Sequence, residues 1–259
     1  MGFLYSIKVK FVLYAIFYST VSFAQISLDK TRLLLTEKNV REQLNALNAT
    51  PEFQSYRVSF VDMKMDEQGQ LVVAENFSRS AKPFLRIGPR IGKNIPPSNT
   101  QKFRVMLRKK PEQTGEYRTH IALETLLPVP ENHEKGVLVQ ANFKYLIPVI
   151  VRYGEPTATA SIEHAKFNSD SEGGKSIDFV LAREGVRSIY GDIDIIDPQT
   201  KHMLKKQKGF GVYPEVNKAK FSIEVSDIKL PSEVLLRFSE DPEFNSINDA
   251  IVSEVLVKI

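Results

Sequence analysis

The sequence has no cysteine and no tryptophan among its 259 residues. The first absence excludes disulfide frameworks, thiolate metal sites, haem attachment and cysteine nucleophiles together. Histidine is scarce: His120, His133, His164 and His202 lie far apart, with no HxH, HExxH or Glu-x-x-His spacing, so no metal site is marked. There is no GxSxG elbow, and the glycines near Gly88 and Gly209 match no phosphate-cradling pattern. Excess charge is also missing. Lys and Arg total 35 against 31 for Asp and Glu, a net +4 without the basic blocks that nucleic-acid binders carry. No catalytic residue, metal, cofactor, small-molecule substrate or nucleic-acid partner is therefore assigned.

Long hydrophobic runs are lacking except at the start. Lys8 and Lys10 precede an apolar run from Phe11 to Val21, and Ser22-Phe23-Ala24 supplies small residues where a signal peptidase reads. The run is about half of the roughly 20 residues a spanning helix needs, so a secretory signal peptide over residues 1–24 is the preferred reading and a membrane anchor the lesser one. Its removal takes both lysines with it and brings the charge closer to zero. A secreted, cysteine-free chain suits a bacterial periplasm, where disulfides are permitted but not required of domains that each have a core.

What is present is period-2 alternation, supported by 42% apolar residues. Phe103, Val105 and Leu107 share one face while Lys102, Arg104 and Arg108 share the other, as a half-buried antiparallel strand requires. Tyr117, Thr119, Ile121 and Leu123 alternate with Arg118, His120 and Glu124, and Ile189, Ile193 and Ile195 with Tyr190, Asp192 and Asp194. Phe221, Ile223 and Val225 alternate with Lys220, Ser222 and Glu224, and the chain ends on Ile251, Val255, Val257 and Ile259. Between Glu37 and Leu47 a short helix competes with a strand, because Val40, Leu44 and Leu47 stand at helical spacing; strand is preferred. Long amphipathic helices are missing, so the fold class is all-β. Tyr153-Gly154-Glu155-Pro156 ends a strongly apolar strand in Gly and Pro, which divides the chain into residues 25–154 and 155–259. Each part has the size and strand count of an immunoglobulin-like sandwich.

Three polar groupings read as surface. Asp192, Asp194 and Asp197 lack the loop glycine and terminal Glu of a calcium loop, and Lys201, Lys205, Lys206 and Lys208 suit a solvated hairpin tip. Asn48-Ala49-Thr50 and Asn76-Phe77-Ser78 are glycosylation sequons too short to carry weight.

The informative segment is Val137 to Arg152, VLVQANFKYLIPVIVR. Val137, Val139, Ala141, Phe143 and Tyr145 form one apolar face, with Gln140, Asn142 and Lys144 opposite. Pattern alone allows an ordinary sandwich strand. Its length, however, exceeds the usual strand of about five or six residues, so part of it would run past its own core. A long apolar edge strand is an aggregation hazard unless it serves to pair with another chain.

With these residues in place, the sequence resembles the PapD-like periplasmic chaperones of pilus assembly, whose two immunoglobulin-like domains form a boomerang. Ile26-Ser27-Leu28-Asp29-Lys30-Thr31-Arg32 is similar to that family's opening strand, and Arg32 matches the cleft arginine that grips a subunit's C-terminal carboxylate. Val149-Ile150-Val151-Arg152 resembles the end of the long subunit-binding strand, which implies Val137, Val139, Ala141 and Phe143 as donor positions. The resemblance further implies an interdomain salt-bridge network of Glu116, Arg152 and Asp249. One departure is Pro148, standing where the family carries a second cleft cation, with Lys144 on the same strand face as the candidate substitute. The resemblance thus implies a periplasmic, non-enzymatic chaperone that stabilises pilus or fimbrial subunits by donor-strand complementation, with an outer-membrane usher as a further partner. A structural or adhesive tandem β-sandwich protein of the cell envelope is the alternative.

Overall fold

The computed structural model describes residues 26–126, 142–243 and 251–259. The strands of the first part are β1 (Ile26–Leu28), β2 (Leu33–Thr36), β3 (Arg41–Asn48), β4 (Gln54–Val61), β5 (Met63–Met65), β6 (Leu71–Val73), β7 (Leu85–Gly88), β8 (Ile91–Ile95), β9 (Thr100–Leu107), β10 (Gly115–Leu126) and β11 (Lys144–Tyr153). The second part contains β12 (Ala158–Ser169), β13 (Lys175–Gly185), β14 (Ile189–Ile196), β15 (Met203–Val212), β16 (Lys218–Glu224), β17 (Glu233–Glu240) and β18 (Val252–Lys258). The described residues contain no α-helix, only one 3-10 turn at Lys82–Phe84.

Two sheets make the first sandwich, in the orders β1-β3-β9-β7 and β2-β11-β10-β4-β8. Their facing sides are the alternate apolar positions: Leu33 and Leu35, Leu44 and Ala46, Phe103 and Val105, Ile121 and Leu123, and Ile147, Val149 and Val151 are all buried in one cluster. Burying each large side chain contributes about 1.5–3 kcal/mol. The segment with competing helix and strand signals forms β3, paired on both sides with β1 and β9. Val40 and Leu47 are exposed there while Leu44 and Ala46 are buried, so the helical spacing had no packing partner.

Asn48 ends that strand fully buried. Its amide donates to the Glu52 and Ile95 carbonyls at 2.8 and 3.0 Å, and its side-chain oxygen accepts from the Thr50 N–H and hydroxyl. It is a turn-building residue, which removes the first sequon as a surface acceptor.

Between β1 and β2 the chain changes sheets. β1 pairs antiparallel with β3, whereas β2 pairs parallel with β11, and only along Val149 to Arg152. Asp29 anchors the switch by accepting two hydrogen bonds from Asn45, at 2.8 and 2.6 Å. The consequence is an edge: among the described residues, β11 has no neighbour on the β2 side from Lys144 to Pro148.

The second sandwich packs β12-β13-β16 against β15-β14-β17-β18 around Ile177, Phe179, Ile193, Phe210, Val212, Leu236 and Phe238. Met65 from the β5–β6 hairpin belongs to this cluster as well, so the two cores are not built from separate stretches of chain. The lysines between Lys201 and Lys208 are not all at a hairpin tip. Lys205 and Lys206 lie within β15, where Lys206 Nζ is 3.2 Å from Asp192 and 3.3 Å from Asp194, and Lys205 is 2.6 Å from Asp227. The carboxylate pair on β14 is thereby compensated across the strand pair.

Candidate functional site

β11 runs out of its own core. Val151, Val149, Ile147, Tyr145 and Phe143 share one face, and along that series the side chains pass from fully buried through half-buried to 45% exposed at Phe143. Leu146, on the opposite face, is 42% exposed. The start of the strand is nonetheless held to β10. The Thr125 N–H donates to the Phe143 carbonyl at 3.0 Å, and the Phe143 N–H donates to the Thr125 hydroxyl at 3.0 Å. Val137, Val139 and Ala141 lie outside the described residues.

This pairing settles where the backbone groups point. Position 143 turns its N–H and C=O toward β10, and the register from Gly115↔Tyr153 to Glu124↔Lys144 has no shift. Alternation then directs the backbone groups of Lys144, Leu146 and Pro148 to the other side, the unpaired edge. Pro148 therefore leaves the β10 ladder intact, and its missing donor falls on the open edge, where proline is tolerated.

Lys144 is not beside that position. It sits opposite Glu124 with a 2.9 Å ion pair. It is four residues from Pro148, about 13 Å along an extended strand. In this structure Lys144 is paired across the strands with Glu124 on a half-exposed surface.

Arg32 precedes β2. Extending the parallel register from Leu33↔Val149 sets it against Pro148, with His120 on the far side of Pro148. Arg32 is 7% exposed, and its guanidinium carbon stands 3.1 Å from the centroid of the Tyr190 ring on β14. Tyr190 lies down because β15 offers glycine beneath it: a Cβ on Gly211 would come within 3.1 Å of the ring, and one on Gly209 within 3.4 Å of the hydroxyl. Stacking occupies the guanidinium face and leaves its donors in the ring-parallel plane. One side of Arg32 opens to a cleft of about 610 Å³ between the sandwiches, with Lys30, Thr36, Asp192 and Lys208 in its walls.

Glu116 and Arg152 form a buried pair, Arg152 Nε donating to Glu116 Oε2 at 2.9 Å. The same oxygen accepts from the Ser188 N–H at 3.1 Å and from its hydroxyl at 2.9 Å, which carries the network into the second sandwich. Asp249, the other carboxylate expected there, lies outside the described residues. Ser188 was not a sequence candidate, since a lone serine after Arg187 carries no pattern.

Arg118 and His120, which alternation sets on the polar face of their strand, do not meet water: each is 1% exposed. Arg118 pairs with Glu215, donates to the Met63 carbonyl at 3.1 Å, and lies 3.5 Å from the Tyr213 ring centroid. Glu215 also accepts from the Met65 N–H at 2.8 Å. The far face of β10 thus meets the second sandwich and the β5–β6 hairpin instead of water. A signal existed in the chain, because Arg118 and His120 share strand parity with Glu116. Burial, and secondarily Arg118, push the His120 imidazole down to about 4, so it is neutral near pH 7 and adds no charge beside Arg32.

No family model and no curated protein matches this chain. Solved structures do. A chain of the CsuC–CsuE chaperone–tip adhesion subunit pre-assembly complex, from archaic chaperone-usher Csu pili of Acinetobacter baumannii, is 11% identical with a TM-score of 0.51, covering 91% of this chain and 100% of that one. The class 5 fimbriae chaperone CfaA is 13% identical at 0.49, over 88% of this chain and 98% of its own. The Salmonella enterica SafA pilin–SafB chaperone complex gives 9% at 0.45, over 89% and 96%. The first of these likenesses extends over both sandwiches, and the chain therefore shares the two-sandwich fold of the chain it matches.

Proposed function

We propose that this chain is a periplasmic chaperone, exported by removal of residues 1–24 and organised as sandwiches over residues 25–154 and 155–259. It captures an incomplete pilus or fimbrial subunit by adding β11 to the subunit's sheet. One observation carries this reading: β11 projects apolar Phe143 beyond its own core, beside an unpaired edge that terminates at Arg32. Backbone groups at Lys144 and Leu146 supply the pairing and Phe143 enters the client groove; Val137, Val139 and Ala141, alternate residues of the sequence before it, are the further donor positions of this reading. Arg32 receives the client's terminal carboxylate through a charge-assisted fork. Pairing and burial complete this mechanism without bond chemistry. The CsuC–CsuE structure is a pre-assembly complex of a chaperone with a tip adhesion subunit, which is the kind of assembly this reading expects.

The test is affinity purification from periplasm with mass spectrometry of the co-eluting protein. A pilin-like partner lacking its final strand is expected, at one copy per chaperone, and Phe143→Asp is expected to abolish it while the protein stays folded. Undiminished capture by that variant would remove Phe143 from the binding strand.

A further inference from the structure

A second cavity, of about 170 Å³, lies near Arg32 and is walled by Met65, Leu71, Tyr190, Tyr213 and Phe221. It is a built feature. The β5–β6 hairpin is fixed over it by the Met65 N–H on Glu215 and by the Lys220 N–H donating to the Glu67 carbonyl at 3.2 Å. The turn at Gly69 rests on Phe221, where a Cβ would come within 3.2 Å of the ring. On the opposite wall, Gly209 and Gly211 let Tyr190 lie flat, so that ring and guanidinium border the same space.

The edge of β11 leads to this place. A strand added in line with β2 loses its donor partner at Pro148 and meets the Arg32 position, so its terminus, and not its middle, arrives there. The terminus brings a carboxylate that complements Arg32 and one last side chain for which the neighbouring walls are apolar and aromatic.

Resting on the chaperone reading above, we propose that this cavity is a specificity pocket for the client's final side chain and that it selects chain ends closing on an aromatic residue. Burial of an aromatic side chain between Met65, Tyr213 and Phe221 favours such an end over a small polar one by about tenfold or more.

The experiment uses the exported protein and short acetylated peptides of alternating threonine and valine, ending in phenylalanine, in serine, or in phenylalanine amide. NMR shifts of the Gly209 and Gly211 amides report binding at the pocket. The phenylalanine acid is expected to bind about tenfold more tightly than the serine acid. Leu71→Trp, which fills the cavity from its exposed rim, is expected to erase that preference while the acid still outcompetes the amide. Equal binding of the two acids, or no shift at these glycines with any peptide, overturns the pocket. If Phe143→Asp still abolishes client capture, only the pocket has failed. If capture survives Phe143→Asp and the acid has no advantage over the amide, the chaperone reading has failed with it.

Discussion

Ser188 donates twice to one oxygen of Glu116, from its backbone at 3.1 Å and its hydroxyl at 2.9 Å. Since Arg152 holds the same oxygen, a single carboxylate ties the last strand of the first sandwich to the second. Removing it takes from the buried Arg152 guanidinium the carboxylate to which its Nε donates. Glu116→Ala is expected to destabilise the protein by about 3–5 kcal/mol, and Ser188→Ala by about 1–3 kcal/mol, because alanine keeps the backbone N–H bond and loses only the hydroxyl's, with no change of charge. Denaturant unfolding of the two variants checks the order; equal losses would show that Ser188 matters as much as the ion pair.

His120 makes stability depend on pH. Its folded pKa of about 4 lies below the ordinary histidine value of 6.5, with burial the main cause, Arg118 and Arg32 adding to it and Asp62 opposing. The unfolded chain therefore binds the extra proton between these values, and stability rises with pH across that window. The contribution is fully present above about 6.5 and is lost as pH falls toward 4, by an amount on the order of 3 kcal/mol. Urea midpoints at several pH values should fall on acidification, and His120→Phe should flatten that slope. An unchanged slope in the variant would assign the acid sensitivity elsewhere.

Two apolar residues on the same face of β11 should behave oppositely. Ile147→Ala opens a cavity in the first core and is expected to cost about 2–5 kcal/mol, whereas exposed Phe143→Ala should change stability by less than about 1 kcal/mol. Melting temperatures of the pair would show whether the strand leaves its core between these positions.

Pro148→Lys adds a donor and a cation to the open edge without touching the β10 ladder. The variant is expected to fold as stably as the parent, within about 0.5 kcal/mol, and to retain its client at higher salt. Loss of folding would show that the proline ring is needed at the edge.

Much of the fold was legible because strand alternation is a property of neighbouring residues. Phe103 and Val105, or Ile121 and Leu123, announce a buried face from spacing alone, and so does the apolar face that ends in Phe143. The burial of Arg118 and His120 was not legible for a definite reason: alternation says which residues share a side, but not whether that side meets water or a second sandwich. That Lys144 stands opposite Glu124 depends on register with β10, which alternation within one segment does not specify.

The amino-acid sequence alone determined the absence of thiol chemistry, the β class and the apolar face shared by Tyr145, Ile147, Val149 and Val151, since composition and period-2 spacing are local quantities. Tertiary structure decided the rest. That β2 covers β11 only from Val149, that the donor missing at Pro148 falls on the open edge, and that Arg32 stacks on Tyr190 all follow from pairing order and register. Those relations join segments distant in the chain, and a shift of one residue would turn each side chain to the opposite face.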